Sequence, residues 1–323
     1  MRVAQVTKFG GPEVLVTAEA QEPVAGPGEV VIDVAYVDTI FVETQVRGGW
    51  GREIFAVEPP YVTGNGVSGT VHEVGTGVDS GWVGRRVASA DGFAGGSAER
   101  VPRAVETLTP VPDGLGLRDA AALMTDGVTA VGLIGSTGVA DGEQVLILGA
   151  SGGMGTLLVQ LAKARGARVV AVARGERKLA LVRELGADAT VDATYDDWPQ
   201  QAREALGGRG AEVVLDGVGG ELGARAFALT ADGGRFSAHG APTGDFAAVD
   251  TAEAQRRGIT LFGIGELQFP PEQRVKLRDE AYAEAAAGRL RPVVGETFAL
   301  DEAAAAHAAI EGRGLVGKVL LKV

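Results

Sequence analysis

Cysteine is absent from the 323 residues. That absence excludes disulfides, thiolate catalysis, iron–sulfur clusters and every cysteine-bearing zinc site together. Histidine is scarce: His72, His239 and His307 are the three imidazoles, and they are scattered along the chain. A metal site would have to be built from carboxylates, and none is expected. Basic residues are in deficit as well. The 30 Lys and Arg face 42 Asp and Glu, a net charge of −12, so the chain carries no electrostatic footprint for nucleic acid or an anionic membrane. No apolar run reaches the length of a membrane span. Met1–Gly11 lacks the apolar stretch of a signal peptide, and the expected location is the cytoplasm.

What is present is globular composition, 46% hydrophobic and 22% charged. At this length two domains are favoured over one. The first hundred or so residues carry short Val- and Ile-rich segments bounded by Gly, Pro or Asp, and strands are predicted at Val30–Val37, Gly69–Val74 and Arg86–Ala90. From about Leu117 the texture changes. Asp119–Met124 reads as helix, and strand–helix alternation follows: strands at Gln144–Leu148, Arg168–Ala173, Ala189–Val191, Glu212–Asp216, Gly234–Ala238 and Ile259–Ile264. Helices are predicted at Gly155–Ala164, Glu176–Leu185, Pro199–Leu206 and Leu222–Thr230. Six strands with helices between the first five predict a doubly wound parallel sheet. The tail leaves that rhythm, with helices at Gln273–Ala287 and Asp301–Glu311 and strands at Val293–Phe298 and Lys318–Val323. The fold class is α/β. A nucleotide-type domain, residues 123–265, is expected to be inserted into a discontinuous β-rich domain, residues 1–122 and 266–323.

Three glycine-rich strings compete for the chemistry. Gly64-Asn65-Gly66-Val67-Ser68-Gly69 spells G-x-G-x-x-G, but a strand pattern follows it where a dinucleotide site needs a helix. Its glycines serve turns and close packing. Gly149-Ala150-Ser151-Gly152-Gly153 spells the G-x-S-x-G nucleophile elbow between a strand and a helix, with Asp216 and His239 later in the order a serine hydrolase uses. Read one step wider, the same turn is Gly149-x-x-Gly152-Gly153-x-Gly155. This spacing allows a tight turn, close approach to a pyrophosphate and helix–strand packing, with a helix N-terminus facing the anion. At the end of the next strand an NAD site carries Asp or Glu. This chain has Ala173-Arg174-Gly175, with Arg177 and Lys178 behind. Those cations attract a 2′-phosphate, so NADPH is favoured over NADH, with Glu176 dissenting.

Further segments add to this reading: Phe9–Leu15, Pro27–Val30, Gly69–Gly77, Gly95–Glu99, Asp126–Ala130, Asp216–Gly219, Gly233–Arg235 and Gly317–Leu321. With Gly149–Gly155, their order and spacing resemble the zinc-independent quinone oxidoreductases, the ζ-crystallin-like branch of the medium-chain dehydrogenase/reductase superfamily, over essentially the whole chain. The resemblance implies a GroES-like catalytic domain, a six-stranded Rossmann domain, a cleft between them and a homodimer. It also implies NADPH-dependent reduction of a small-molecule quinone or activated C=C bond, with no metal. By position, Ser151, Gly152, Gly153 and Met154 form the cofactor turn, and Lys178 and Arg313 hold the adenosine phosphate beside Arg174. Thr129, Gly217, Val218, His239 and Gly240 line the ribose and nicotinamide. Zinc-dependent cousins place metal ligands where this chain has Ile40 and Asn65. Quinone-reducing relatives often have Asn and Tyr where it has Ile40 and Gln45, which makes one pocket wall less polar. Asn65 and Gln45 are the polar groups left to stabilise an anion on the substrate. The alternatives are an enoyl-thioester or alkenal reductase, a non-catalytic NADPH-binding protein, and a hydrolase using Ser151.

Overall fold

The chain is divided between two units, Met1–Gly127 with Arg278–Val323, and Val128–Leu277, in a computed structural model that describes residues 1–90 and 94–323. The chain enters with β1 (Arg2–Val6), β2 (Leu15–Glu19) and β3 (Glu29–Thr39), then α1 (Phe41–Arg47) and β4 (Tyr61–Val62). It continues through β5 (Gly66–Val74), β6 (Arg86–Ala90), β7 (Arg100–Ala104), β8 (Leu108–Pro110), α2 (Leu117–Leu123) and α3 (Asp126–Ser136). The second unit runs β9 (Gln144–Leu148), α4 (Gly153–Ala164), β10 (Arg168–Ala173), α5 (Glu176–Glu184), β11 (Ala189–Asp192) and α6 (Trp198–Ala205). It goes on with β12 (Ala211–Asp216), α7 (Gly220–Phe227), β13 (Thr230–Ala238), α8 (Thr251–Arg256) and β14 (Thr260–Phe262). The return is made by α9 (Pro271–Ala286), β15 (Val294–Ala299), α10 (Ala303–Glu311) and β16 (Lys318–Lys322).

In the first unit β3 is the spine. Its run Val30-Val31-Ile32 is buried, as are Val34 and Val37, because β-branched side chains suit a covered pleated surface. It pairs antiparallel with β5, β7 and β16 in a sheet ordered β15-β16-β3-β5-β6-β8. Val67, Val71, Val87, Val101, Val319 and Leu321 pack with its apolar face. Strand β7 contains Pro102, a residue that reads against a strand; it is tolerated because β7 pairs only with β3 and Pro102 is exposed. A three-stranded sheet β2-β1-β4 completes the unit's strands among the described residues.

In the second unit the six strands are all parallel in the order β11-β10-β9-β12-β13-β14. Every residue of β9 is buried, as are five of the six in β10, which is why these strands read as continuous apolar runs. One predicted boundary moves. The helix expected over Leu222–Thr230 is α7 and stops at Phe227, because Thr230 already pairs with Ala211 as the first residue of β13. Strand β13 then passes through Asp232-Gly233-Gly234 with a register shift, Gly233 adopting φ +74°. Among the described residues no helix is long and apolar enough to cross a membrane.

Candidate active site

The strand order reverses between β9 and β12, which neighbour each other and lead to β10 and β13 on opposite sides. Ligands of doubly wound sheets bind beyond the carboxyl ends of the strands at this switch point. Leu148 and Asp216 end these two strands side by side, so the turns that follow them meet. Gly149 turns at φ +68°, and a Cβ there would come 3.1 Å from Val218 Cγ2. A Cβ on Gly155 would lie 2.2 Å from the Gly149 carbonyl oxygen, so this glycine permits helix–strand contact. Gly152 is different. Its φ is −77°, and a Cβ would meet only the Gly149 oxygen at 3.4 Å. Neither strain nor crowding explains a glycine there, whereas a ligand approaching the backbone does. Gly152, Gly153 and Met154 are half-buried, and Gly152 caps α4 without a side-chain hydrogen bond. The helix N-terminus therefore offers N–H groups and the positive end of its dipole. Ser151 is buried beside them.

The turns after β12 and β13 are locked together. The Asp216 carbonyl accepts the N–H groups of His239 at 3.0 Å and Gly240 at 3.1 Å. A Cβ on Gly240 would lie 2.2 Å from the Gly217 oxygen. The Asp216 carboxylate accepts from the N–H groups of Val218 at 2.9 Å and Gly219 at 3.0 Å. Burial pushes its pKa up. His239 Nδ1 lies 3.2 Å from Ser237 Oγ, while its buried Nε2 has no hydrogen-bond partner and sits beside Gly217. Burial lowers the His239 pKa to about 4, so the ring is neutral at pH 7. An unpaired ring nitrogen among these glycines is suited to a ligand amide. Thr129 is half-buried in the first turn of α3.

This arrangement removes the hydrolase reading. A serine triad needs its acid on the histidine and the histidine on the serine. Here the Asp216 carboxylate serves its own loop's N–H groups, and the hydrogen-bonded nitrogen of His239 meets Ser237. No relay reaches Ser151.

Three cations follow β10 closely enough to act on one another. Arg174 and Arg177 are exposed and Lys178 is half-buried. Burial and then the positive charges of Arg174 and Arg177 lower the Lys178 pKa. Three mutually repelling cations favour an anion between them. Glu176 does not oppose it, because its carboxylate is drawn to Arg183 along α5 at 2.5 Å. Asp192 accepts the Gly175 N–H at 3.1 Å and fixes this turn, where Gly175 has φ +80°. Arg313 belongs to the other unit, where it adopts φ +53° and its guanidinium lies 5.9 Å from the Phe41 ring centroid.

In the first unit Gln45 lies on α1 and Asn65 in the bend just before β5. The string from Gly64 to Gly69 indeed opens into a strand, with Gly66 to Gly69 paired to both β3 and β6. Beside the Gly64 N–H, just ahead of Asn65, is a residue that sequence reasoning passed over. Glu43 is 3% exposed, and its two carboxylate oxygens accept from the N–H groups of Ile40 at 3.2 Å and Gly64 at 3.1 Å. Burial, then the nearby Asp38, raises its pKa to about 8. Asp38 itself is buried against Lys318 Nζ at 2.6 Å, and that ammonium also meets Asp126 at 3.2 Å. The one sequence signal for Glu43 is an acid three residues past a helix start.

Among the described residues no three His, Asp or Glu gather as a metal site. Both oxygens of Glu43 are committed to backbone N–H groups, and Ile40 and Asn65 offer neither sulfur nor imidazole. These residues do not fit a catalytic zinc, and no step is derived through one.

A doubly wound nucleotide-binding unit joined to a β-rich unit defines a class, the two-domain dehydrogenases and reductases. Residues 26–130 match the alcohol dehydrogenase GroES-like domain, and residues 153–276 match the zinc-binding dehydrogenase domain. The chain is 32% identical to a 2-haloacrylate reductase from Burkholderia sp, with 98% of each chain covered. It is 30% identical to a quinone oxidoreductase from Pseudomonas aeruginosa, again with 98% of each covered. A mycobacterial protein solved in complex with NADPH is 30% identical, with a TM-score of 0.91 over 100% of both chains. The chain belongs to the quinone oxidoreductase family of the medium-chain dehydrogenase/reductase superfamily.

Proposed function

We propose that this chain is an NADPH-dependent oxidoreductase that reduces a quinone or another activated alkene, such as an enone or haloacrylate, without a catalytic metal. The observation that carries the reading is Gly152, a glycine that neither φ nor packing requires, at the open N-terminus of α4 and one strand from the cations after β10. NADPH, when bound, supplies the hydride. Everything else falls to the chain. The N–H groups at Gly153 and Met154 hold the pyrophosphate, Gly152 lets it approach the backbone, and Ser151 lies behind them. Arg174 and Lys178 take the 2′-phosphate. Thr129, Gly217, Val218, His239 and Gly240 line the nicotinamide ribose, and the neutral His239 adds no charge to repel a cationic ring. Asn65 or Gln45 donates an amide hydrogen bond to the oxygen that becomes anionic on the substrate. Solvent provides the proton, so no obligatory acid is needed. The enzyme works as a homodimer in the cytoplasm.

The test is NADPH oxidation against a panel of quinones, enones, haloacrylates, alkenals and enoyl thioesters. Turnover of a quinone or simple activated alkene above the rest supports the reading. A clear preference for thioesters or alkenals moves the assignment to those reductases, and binding of NADPH with no turnover of any acceptor leaves a non-catalytic binding protein.

A further inference from the structure

Asn65 and Gln45, the two amides assigned to the substrate, come from separate segments, a bend and a helix. The bend is held on several sides. The Gly64 carbonyl accepts the Gly96 N–H at 2.8 Å, the Thr63 carbonyl accepts the Ser97 N–H at 2.8 Å, and the Thr63 and Ser97 hydroxyls meet at 3.1 Å. Gly64 has φ +90°, and a Cβ would come 2.5 Å from Ser97 N. Gly66 is equally crowded, with Met124 Cγ 2.8 Å from its would-be Cβ. Asn65 thus stands between two fixed glycines. What ties this bend to the helix is Glu43. One oxygen takes the Ile40 N–H at the start of α1, and the other takes the Gly64 N–H. Gln45 follows two residues later on the same helix.

We propose that Glu43 is the positioning residue of the substrate pocket: its buried carboxyl clamps the start of α1 to the Gly64–Gly66 bend and so sets Gln45 and Asn65 in register. This deepens, and rests on, the assignment of Asn65 and Gln45 to the substrate. Glu43 need not touch substrate or cofactor. A buried side chain with both oxygens committed to N–H groups from two segments is a brace, and removing it leaves both donors without their partner. The shape of the network explains why Glu is used. Asp is one methylene shorter and cannot span both N–H groups from the same backbone position, while Gln keeps the length but only one acceptor.

The experiment compares Glu43→Gln, Glu43→Asp and Glu43→Ala with wild type in the full-length chain by three measurements. These are amide hydrogen exchange at Ile40 and Gly64, the Kd for NADPH, and steady-state kinetics with the quinone that serves best. Glu43→Ala should lose exchange protection at both amides and raise the quinone KM about tenfold, with the NADPH Kd unchanged. Glu43→Gln should retain protection at one amide and recover part of the KM, more than Glu43→Asp does. Wild-type KM in Glu43→Ala, with or without loss of protection, overturns the proposal. So does a loss of NADPH affinity equal to the loss of substrate affinity, which would mark general unfolding. A wild type with no reductase activity overturns the functional reading and with it the pocket role, while the exchange rates still decide whether the clamp exists.

Discussion

Glu43 and two buried histidines give the molecule a readable dependence on pH. The folded-state pKa of Glu43 is raised to about 8, so the native state holds a proton that the unfolded chain releases. Its contribution to stability is fully present below the ordinary carboxylate range and is lost as pH rises through 8. His239 and His307 run the other way. Burial lowers them to about 4 and about 3, so the unfolded chain takes up protons first and stability falls as pH drops below 6.5. From about pH 7.5 to 8.5 the histidines are neutral in both states, and the downward slope belongs to carboxyls whose pKa burial raises, Glu43 among them. Wild type should therefore lose stability across that interval in chemical denaturation, and Glu43→Gln should flatten the slope. Equal slopes in wild type and Glu43→Gln from about pH 7.5 to 8.5 would show that Glu43 is ionised in the folded state.

The strand–turn–helix element β9–α4 separates fold from function within seven residues. Replacing Gly152 by Val places a side chain where only the Gly149 oxygen is near, so the fold should survive while the pyrophosphate path is blocked. NADPH titration should show no binding, with circular dichroism and Tm close to wild type. Gly155→Ala forces a Cβ to within 2.2 Å of a backbone oxygen, and should cost about 1–3 kcal/mol of stability through overpacking. Ser151→Ala should keep most reductase activity, since no relay reaches that hydroxyl. These elements also differ in how far they could be read from sequence. Gln144–Leu148 and Arg168–Ala173 are apolar runs buried on both faces, and pattern alone delimits them. Helix α1 escaped because two of its seven residues, Glu43 and Arg47, are charged and buried. Arg47 is held by the Gly10 carbonyl, His307 Nδ1 at 3.2 Å and Glu311. A short helix whose charges face inward has no apolar stripe to count.

At the scale of the whole molecule, the parallel sheet and its glycine turn were legible because both depend on local spacing. The clamp at Glu43 and the Asp38–Lys318–Asp126 cluster were not, since they join residues up to 280 positions apart and no periodicity reports such partners. The cations after β10 lie next to one another in sequence, whereas the role of Glu176 required seeing Arg183 beside it. The account predicts that activity survives chelators and that the purified protein holds no stoichiometric zinc; one tightly held zinc per chain by elemental analysis would contradict the site described here. The most direct test is cofactor discrimination: kcat/KM for NADPH and for NADH with one quinone, in wild type and in the Arg174→Ala/Lys178→Ala double variant. Each charge-assisted bond to an exposed phosphate is worth about tenfold, so the double variant should lose about a hundredfold with NADPH and change by less than about twofold with NADH. A wild type that prefers NADH, or a double variant that loses both cofactors equally, would contradict the account.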